Sequence, residues 1–178
     1  GYAGFARDPV EAKRWYDKGI PRVQQMAEAH DATAMWLLGW IYINGDGGMP
    51  KDMAQAVKWY TLAANMDHEV ALHHLAECYE EGNGVAHNLA KAIRLYTRAS
   101  ILGYPPAQLK LAACYMNAIG DIPQDRFIAR YWLKLAAAAG ENRALRPLAQ
   151  VQMQINQASL SLQALLTPPL DDSKEVIL

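Results

Sequence analysis

One residue pattern recurs four times along the chain at a spacing of 36 or 37 residues, and this period restricts the possible folds more than any other feature. In each copy an alanine is followed four positions later by a leucine. The alanines are Ala34, Ala71, Ala107 and Ala144, and the leucines are Leu38, Leu75, Leu111 and Leu148. A period of this length is typical of a repeat array, in which each unit buries its apolar face only by stacking on a neighbour.

Each unit has the pattern of two helices joined by a short loop. Ala34, Leu38 and Ile41 fall on one face of an α-helix. Gly45 and Gly82 predict where this first helix ends, because glycine adopts the left-handed conformation without a steric penalty. Residues that cap a second helix follow at Asp52, Asn88 and Asp125. The predicted helices of the three full units cover 31–44, 52–66, 69–82, 88–102, 105–118 and 125–139.

The second helix of the first unit carries its own apolar stripe, formed by Ala56, Trp59, Tyr60 and Ala63. Gly39 in the first helix has no side chain, so it lets the second helix approach closely. We therefore predict that each unit is a closely packed helix hairpin.

The pattern A-x-x-x-L-G-x-x-Y-x-x-G-x-G, followed by a short loop and D-x-x-x-A-x-x-W-Y-x-x-A-A, resembles the Sel1-like repeat family, which is related to the tetratricopeptide repeats. The resemblance covers residues 8–150. Ala118 replaces the loop glycine of the third unit, and Leu133 replaces its second aromatic residue. The resemblance implies a bacterial protein with an all-α, right-handed α-α superhelix used for protein–protein contact, and it implies no catalytic residues.

We interpret residues 1–178 as a single domain built from this array. Its predicted parts are a half repeat with an insertion (8–30), three full repeats (31–68, 69–104 and 105–141), a capping helix (142–167) and a short tail (168–178).

The half repeat is longer than its counterparts. Ala12 to Ala34 spans 22 residues, whereas Ala56 to Ala71 spans 15, so the insertion has seven residues. Seven residues are about two turns of an α-helix, and the insertion therefore keeps the buried face in phase. We predict one long helix over 9–29, bent at Pro21. Its buried stripe is predicted to continue through Ile20, Val23, Met26 and Ala27.

The resemblance also implies which residues face a partner, because the first helix of each hairpin lines the concave side of such arrays. These positions form a groove that is aromatic at one end, acidic in the middle, apolar next and basic at the far end. The predicted partner-binding residues are Trp36, Trp40, Ile43, Asn44, His73, Glu77, Glu80, Glu81, Leu109, Met116, Arg143 and Arg146.

Two interpretations remain open for the two tryptophans. Trp36 and Trp40 lie about one helical turn apart, and tryptophan is enriched among residues that dominate binding energy. Alternatively, helix 9–29 covers both side chains as ordinary core.

The histidine and acidic residues around the second unit are candidates for a metal or catalytic site. His73 and Glu77 are spaced i,i+4, as are His74 and Cys78, which is a spacing that brings side chains together. We expect the two pairs to point to different faces, with Cys78 inward and Glu77 outward. Residues 45–52 lack the alternating acidic ligands of a calcium loop. A solvated acidic face is favoured, and we expect no metal, no cofactor and no enzymatic activity.

Cys78 and Cys114 occupy the same position in adjacent units. Neighbouring hairpins pack at about 8–10 Å, which exceeds the ~7 Å limit between the Cα atoms of a disulfide. We therefore expect two buried free thiols.

Charge and hydropathy narrow the class of partner. The formal net charge is −1, which argues against nucleic acid as a partner. No apolar run reaches the ~18–20 residues that a membrane-spanning helix needs. The chain begins with Gly rather than Met, so a removed signal peptide is one expectation, and it favours the bacterial periplasm over the cytoplasm.

Taken together, the sequence predicts a non-catalytic module that binds a protein or peptide in its concave groove, as a monomer or in a heteromeric complex. The resemblance is compatible with an immunity-type inhibitor of a secreted toxin, an envelope adaptor or a virulence-linked protein that contacts the host. One alternative is a structural subunit of an envelope or secretion assembly, and a more remote one is a metal-dependent enzyme.

Overall fold

The computed structural model describes residues 9–166, with side chains from residue 17 onward except at residue 47. Within that range the chain forms eight α-helices and no β-strand, which confirms the predicted all-α solenoid. The helices are α1 (Pro9–Glu28), α2 (Ala32–Asn44), α3 (Met53–Asn65), α4 (Glu69–Glu81), α5 (Leu89–Ile101), α6 (Pro105–Asn117), α7 (Arg126–Ala138) and α8 (Leu145–Leu166), with 3-10 turns at Asp46–Gly48 and Asn142–Ala144.

Helices α2 to α7 form three hairpins that stack in chain order. Each of these six helices has 13 residues, and each end lies within one residue of its prediction. The predicted lead-in at 1–7 and tail at 168–178 lie outside the described residues.

The same backbone hydrogen bond closes the loop of all three hairpins. In each loop the N–H of the residue that caps the second helix donates to the carbonyl of a tyrosine in the first helix, at 2.9 Å. The donors and acceptors are Asp52 and Tyr42, Asn88 and Tyr79, and Asp125 and Tyr115. The three loops therefore share one backbone geometry, which places the cap of the second helix beside the first helix in each hairpin.

The first helices end in a left-handed residue, as predicted from the glycines. Gly45 and Gly82 have φ values of 71° and 75°. Ala118 adopts the same conformation, with φ 52° and ψ 51°. A side chain in this region costs about 1–2 kcal/mol, so the third loop keeps its shape at the expense of local strain.

The interior of the array is packed as the repeat pattern predicts. Leu38, Leu75 and Leu111 are buried. Tyr60 is also buried, and its ring would lie 2.5 Å from a Cβ atom placed on Gly39. This contact confirms that the glycine permits the close approach of α2 and α3.

Helix α1 is continuous over 20 residues with Pro21 inside it, which confirms a single long N-terminal helix. Ile20 and Ala27 are buried and Val23 packs against the core. Met26 is 42% exposed, so its predicted place in the buried stripe is wrong. The stripe on α1 is therefore narrower than the apolar pattern indicated.

Helix α8 packs against α7 and caps the array. With 22 residues it is nine residues longer than the first helices of the three hairpins. Val151 is buried against Leu133 and Ala136 of α7. The predicted capping helix ending near Leu166 is confirmed.

Candidate functional site

Two adjoining depressions lie between the hairpins, and Glu77 lines both of them. The first, of about 330 Å³, lies between α2, α3 and α4 and is lined by Trp40, Ile43, Asn44, Met53, Tyr60, His74, Glu77, Cys78, Glu81 and Asn83. The second, of about 170 Å³, lies between α4, α6 and the turn at Asn142–Ala144 and is lined by His73, Glu77, Pro106, Leu109, Lys110, Ala113 and Arg143. Together the two depressions are called the groove below.

Most of the residues predicted to face a partner line this groove. They are Trp40, Ile43, Asn44, His73, Glu77, Glu81, Leu109 and Arg143. The structure places the remaining four, Trp36, Glu80, Met116 and Arg146, outside the lining of both depressions.

The two tryptophans differ in their surroundings. Trp40 is 40% exposed at the edge of the first depression. Trp36 is half-buried, and its ring stacks on the rings of His68 and His74, with centroids 5.8 and 6.4 Å away. Trp36 therefore packs at the junction between the first two hairpins, and Trp40 is the side chain available to a partner.

Glu77 accepts hydrogen bonds from two histidines of its own helix. Its Oε1 atom lies 3.3 Å from Nε2 of His73, and its Oε2 atom lies 3.0 Å from Nδ1 of His74. His74 thus reaches Glu77, although the pairs His74–Cys78 and His73–Glu77 were expected to point to different faces, whereas Cys78 is buried and Glu77 is partly exposed, as expected. Burial alone would raise the pKa of Glu77, but the hydrogen bonds and charges of the two histidines outweigh it and hold this pKa well below its usual range.

His73 is more buried than predicted, with 6% of its surface exposed. The rings of Tyr96 and Tyr104 lie 5.4 and 5.2 Å from its ring. It was expected to face a partner from an exposed position, but the tyrosines of the following helix and turn cover it. His73 therefore reaches the groove only at one edge and mainly positions Glu77.

Glu80 is held by side chains from two other helices. Its Oε2 atom accepts a hydrogen bond from the Tyr96 hydroxyl at 2.6 Å and one from Lys110 Nζ at 2.8 Å. Burial alone would raise the pKa of Glu80, but these two donors outweigh it and lower the pKa. Glu80 thus joins α4 to α5 and α6, and it is not the free acidic residue that the sequence suggested.

Arg143 lies at the basic end of the groove and is already paired. Its Nε and Nη2 atoms donate to the two carboxylate oxygens of Glu141 at 2.8 and 2.7 Å. These hydrogen bonds lower the pKa of Glu141 to about 2. Arg146 is exposed, whereas Met116 packs partly buried against the core beside α7.

The two depressions differ in charge. Glu77 and Glu81 line the first, and neither lysine nor arginine is present among its lining residues. Lys110 and Arg143 line the second. The groove is therefore acidic at the Trp40 end and contains its basic groups at the Leu109 end.

Cys78 also lines the first depression, but its thiol is not activated. Burial raises its pKa to about 11, and the charges of Glu77 and Glu81 add to this effect. Both cysteines are buried and free, as predicted. Among the residues that the structure describes, no group of three or more His, Cys, Asp and Glu is arranged to hold a metal ion.

Sequence reasoning missed Lys110, Tyr60, Tyr96 and Tyr104, because it considered only one face of the first helices. A signal for two of them was present, since Tyr60 and Tyr96 occupy the same repeat position. Lys110 occupies the position of His74 in the preceding unit, and nothing in its spacing distinguished it.

No helix in the described part of the chain has the length and apolarity required to cross a membrane. A comparison with curated proteins found no match. Among solved structures, a Sel1 repeat protein from Oxalobacter formigenes has a TM-score of 0.71 and 26% identity. The matched region covers 78% of this chain and 56% of that protein.

A second similar structure is c5321, a protective antigen present in uropathogenic Escherichia coli strains that displays an SLR fold. It has a TM-score of 0.66 and 30% identity, over 71% of this chain and 27% of that one. The chain therefore spans about half or less of the length of these two relatives.

The family comparison agrees with the geometry of the hairpins. The model of the Sel1 repeat matches residues 1–27, 32–68, 70–104 and 105–141. The last three matches coincide with the hairpins α2–α3, α4–α5 and α6–α7. The chain belongs to the Sel1 repeat family.

Proposed function

We propose that the chain binds a segment of a protein partner in the groove, and that a cationic side chain of the partner occupies the first depression. Sel1 repeat proteins generally mediate protein–protein interaction. The observation that carries the finer proposal is Trp40, which is exposed beside Glu77 and Glu81 in a depression that has no lysine or arginine in its lining. An arginine can stack on an indole ring while it pairs with a carboxylate.

The charge of the groove also favours one orientation of the segment. A cation at the Trp40 end pairs with Glu81, which is exposed and accepts a hydrogen bond from the side chain of Asn83. Leu109 and Ala113 in the second depression suit an apolar side chain. Lys110 and Arg143 at that end are already paired with Glu80 and Glu141, so they add no preference for an acidic residue. The proposed ligand is thus basic, then apolar in the direction from Trp40 to Leu109.

Calorimetry with a partner recovered from the native organism tests this proposal. We expect Trp40→Ala to weaken binding by at least about tenfold, because a buried aromatic anchor contributes about 1.4 kcal/mol or more. We expect Glu81→Lys to weaken binding as well and to remove part of its salt dependence.

The matched control is Tyr131→Ala, which removes an exposed ring from α7, outside the lining of the groove. Full affinity in Trp40→Ala, with circular dichroism unchanged, would refute the groove as the binding site. A loss of affinity in Tyr131→Ala instead would assign binding to the outer helices.

The similarity to c5321 favours one biological role among those implied by the repeat pattern. Because that protein is a protective antigen, we propose a virulence-linked protein outside the cytoplasm, ahead of an immunity-type inhibitor or a structural subunit. Fractionation of cells that express the natural gene tests the compartment. Recovery only in the cytoplasmic fraction would exclude both the host-contacting role and the periplasmic location.

A further inference from the structure

The C-terminal turns of α8 extend beyond the array. The first helices α2, α4 and α6 end 13 residues after their capping residues. The corresponding end in the fourth unit falls near Ile155, but α8 continues through residues 156–166, which we call the overhang. Its large apolar side chains are exposed, with values of 60% for Leu162 and 83% for Leu165.

A third depression, larger than those of the groove, lies under the overhang. It measures about 590 Å³ and is lined by Phe127 at the start of α7 and by Ile155, Ala158 and Leu162 of α8, among others. Phe127 is itself exposed. A cavity of about 150 Å³ lined by apolar groups is enough for benzene, so this depression has room for several side chains.

The sequence of the overhang determines what fits there. From Pro147 to Leu166 there is no Asp, Glu, Lys or Arg. Asp125 and Arg126 also line the depression, but Asp125 accepts from two backbone N–H groups of α7 and Arg126 donates to Gln154. The occupant that matches this surface is therefore an uncharged apolar helix.

We propose that the occupant is the overhang of a second copy of this chain, packed antiparallel across a two-fold axis at Leu162. In this pairing Leu162 meets Leu162, Ala158 lies opposite Leu166 and Ser159 lies opposite Leu165. A small residue thus faces a leucine at each flanking contact, which is the self-complementarity that a two-fold interface needs. No charges repel each other along the helix pair.

This interface leaves the groove free, because the groove lies between α2, α4 and α6. It differs from the expectation of a monomer or a heteromeric complex. The sequence did not predict a dimer because the overhang has about the same share of apolar residues as a buried helix. Only the structure shows that its leucines are exposed.

Sedimentation velocity of the 178-residue chain tests the proposal. We expect a monomer–dimer equilibrium with a Kd of about micromolar, the range for a modest apolar interface. Leu162→Glu and Leu162→Lys should each be monomeric, because the two-fold axis brings like charges together. An equimolar mixture of the two variants should recover the dimer. Both changes fall on an exposed position, and circular dichroism checks that the fold persists.

Ile101→Glu is the matched control, since Ile101 is 70% exposed at the end of α5. This variant should dimerise as the parent chain does. A parent chain that stays monomeric, a dimer that survives Leu162→Glu, or a mixture that does not reassociate would each overturn the proposal. So would a chain that dimerises only after residues 167–178 are removed, because the tail would then occupy the depression.

Discussion

Helices α4 and α8 occupy the same place in the repeat, yet their surroundings differ. In α4, Leu72 and Ala76 are buried between α3 and α5. The equivalent residues of α8 are Leu145 and Ala149, of which Leu145 is 54% exposed and Ala149 is also exposed. The same residue types in the same register are therefore core in one helix and surface in the other.

The difference shows that burial in a repeat array depends on the neighbours of a helix more than on its own sequence. Helix α4 packs against α5 of its own hairpin and against α3 of the preceding hairpin. Within the described part of the chain, α8 packs only against α7 of the preceding hairpin and the turn before α8. An interior helix consequently contributes two buried faces, whereas a terminal helix contributes one.

The largest expected effect on stability comes from the leucine at the same repeat position of α4 and α8, which is Leu75 in α4 and Leu148 in α8. Leu75→Ala should lower the free energy of unfolding by about 2–5 kcal/mol, because the side chain is buried and its removal leaves a cavity. Leu148→Ala should lose only about 1–2 kcal/mol, since Leu148 is half-buried. Urea unfolding measures both values. Equal losses would mean that α8 is covered as fully as α4.

A smaller effect compares two glycines that differ in their neighbours. Gly39→Ala should destabilise the protein by about 1–3 kcal/mol, because its Cβ would overlap the buried ring of Tyr60. Gly19→Ala in α1 should instead stabilise it by about 0.5–1 kcal/mol, since alanine favours the helix and, among the residues whose side chains the structure describes, no atom outside the backbone of α1 lies within 4 Å of that Cβ. Thermal unfolding gives the sign of each change. Destabilisation by Gly19→Ala would show that α1 is enclosed like an interior helix.

The smallest effect concerns how the acidic residues of α4 make the free energy of unfolding depend on pH. The pKa of Glu77 is lowered in the folded state, so its stabilising contribution is present above its ordinary value of 4.5 and is lost as the pH falls toward the folded value. Because 34% of the side chain is exposed, solvent screens the pairs and we expect about 1 kcal/mol or less. Glu77→Gln should flatten the loss of stability between about pH 5 and pH 3.

The control for this effect is Glu81→Gln on the same helix, where the carboxylate is exposed. Its pH profile should match that of the parent chain. A profile equally flattened by both substitutions would attribute the effect to the net charge of the helix and not to the contacts of Glu77 with His73 and His74.

Much of the fold was predictable because the repeat supplies the same evidence several times. The caps at Asp52, Asn88 and Asp125 and the glycines at Gly45 and Gly82 each predicted a boundary that the structure confirms. Local signals of this kind act within a few residues, so the sequence contains them directly. Met26 was placed incorrectly because its exposure depends on contacts with other helices, which the apolar pattern of α1 does not specify.

The candidate site was predicted less completely. The resemblance placed Trp40, Glu81 and Leu109 among the residues that face a partner, and in the structure these residues line the groove. It did not separate Trp36 from Trp40, because what distinguishes them is the stacking of His68 and His74 from the next hairpin. The helical period describes residues within one hairpin. It therefore does not predict contacts between one hairpin and the next.

The sequence by itself determined the helix hairpins, their boundaries and their stacking into a solenoid, because these follow from short-range caps and from an apolar stripe repeated in register. Only the tertiary structure decided which acidic residues are free. Glu80 is bound by Tyr96 and Lys110, whereas Glu81 is exposed, although the two are adjacent in the chain. It also decided that the leucines of the overhang are exposed in the described part of the chain. Both outcomes depend on distances between residues far apart in sequence, which hydrophobic and polar patterns do not specify.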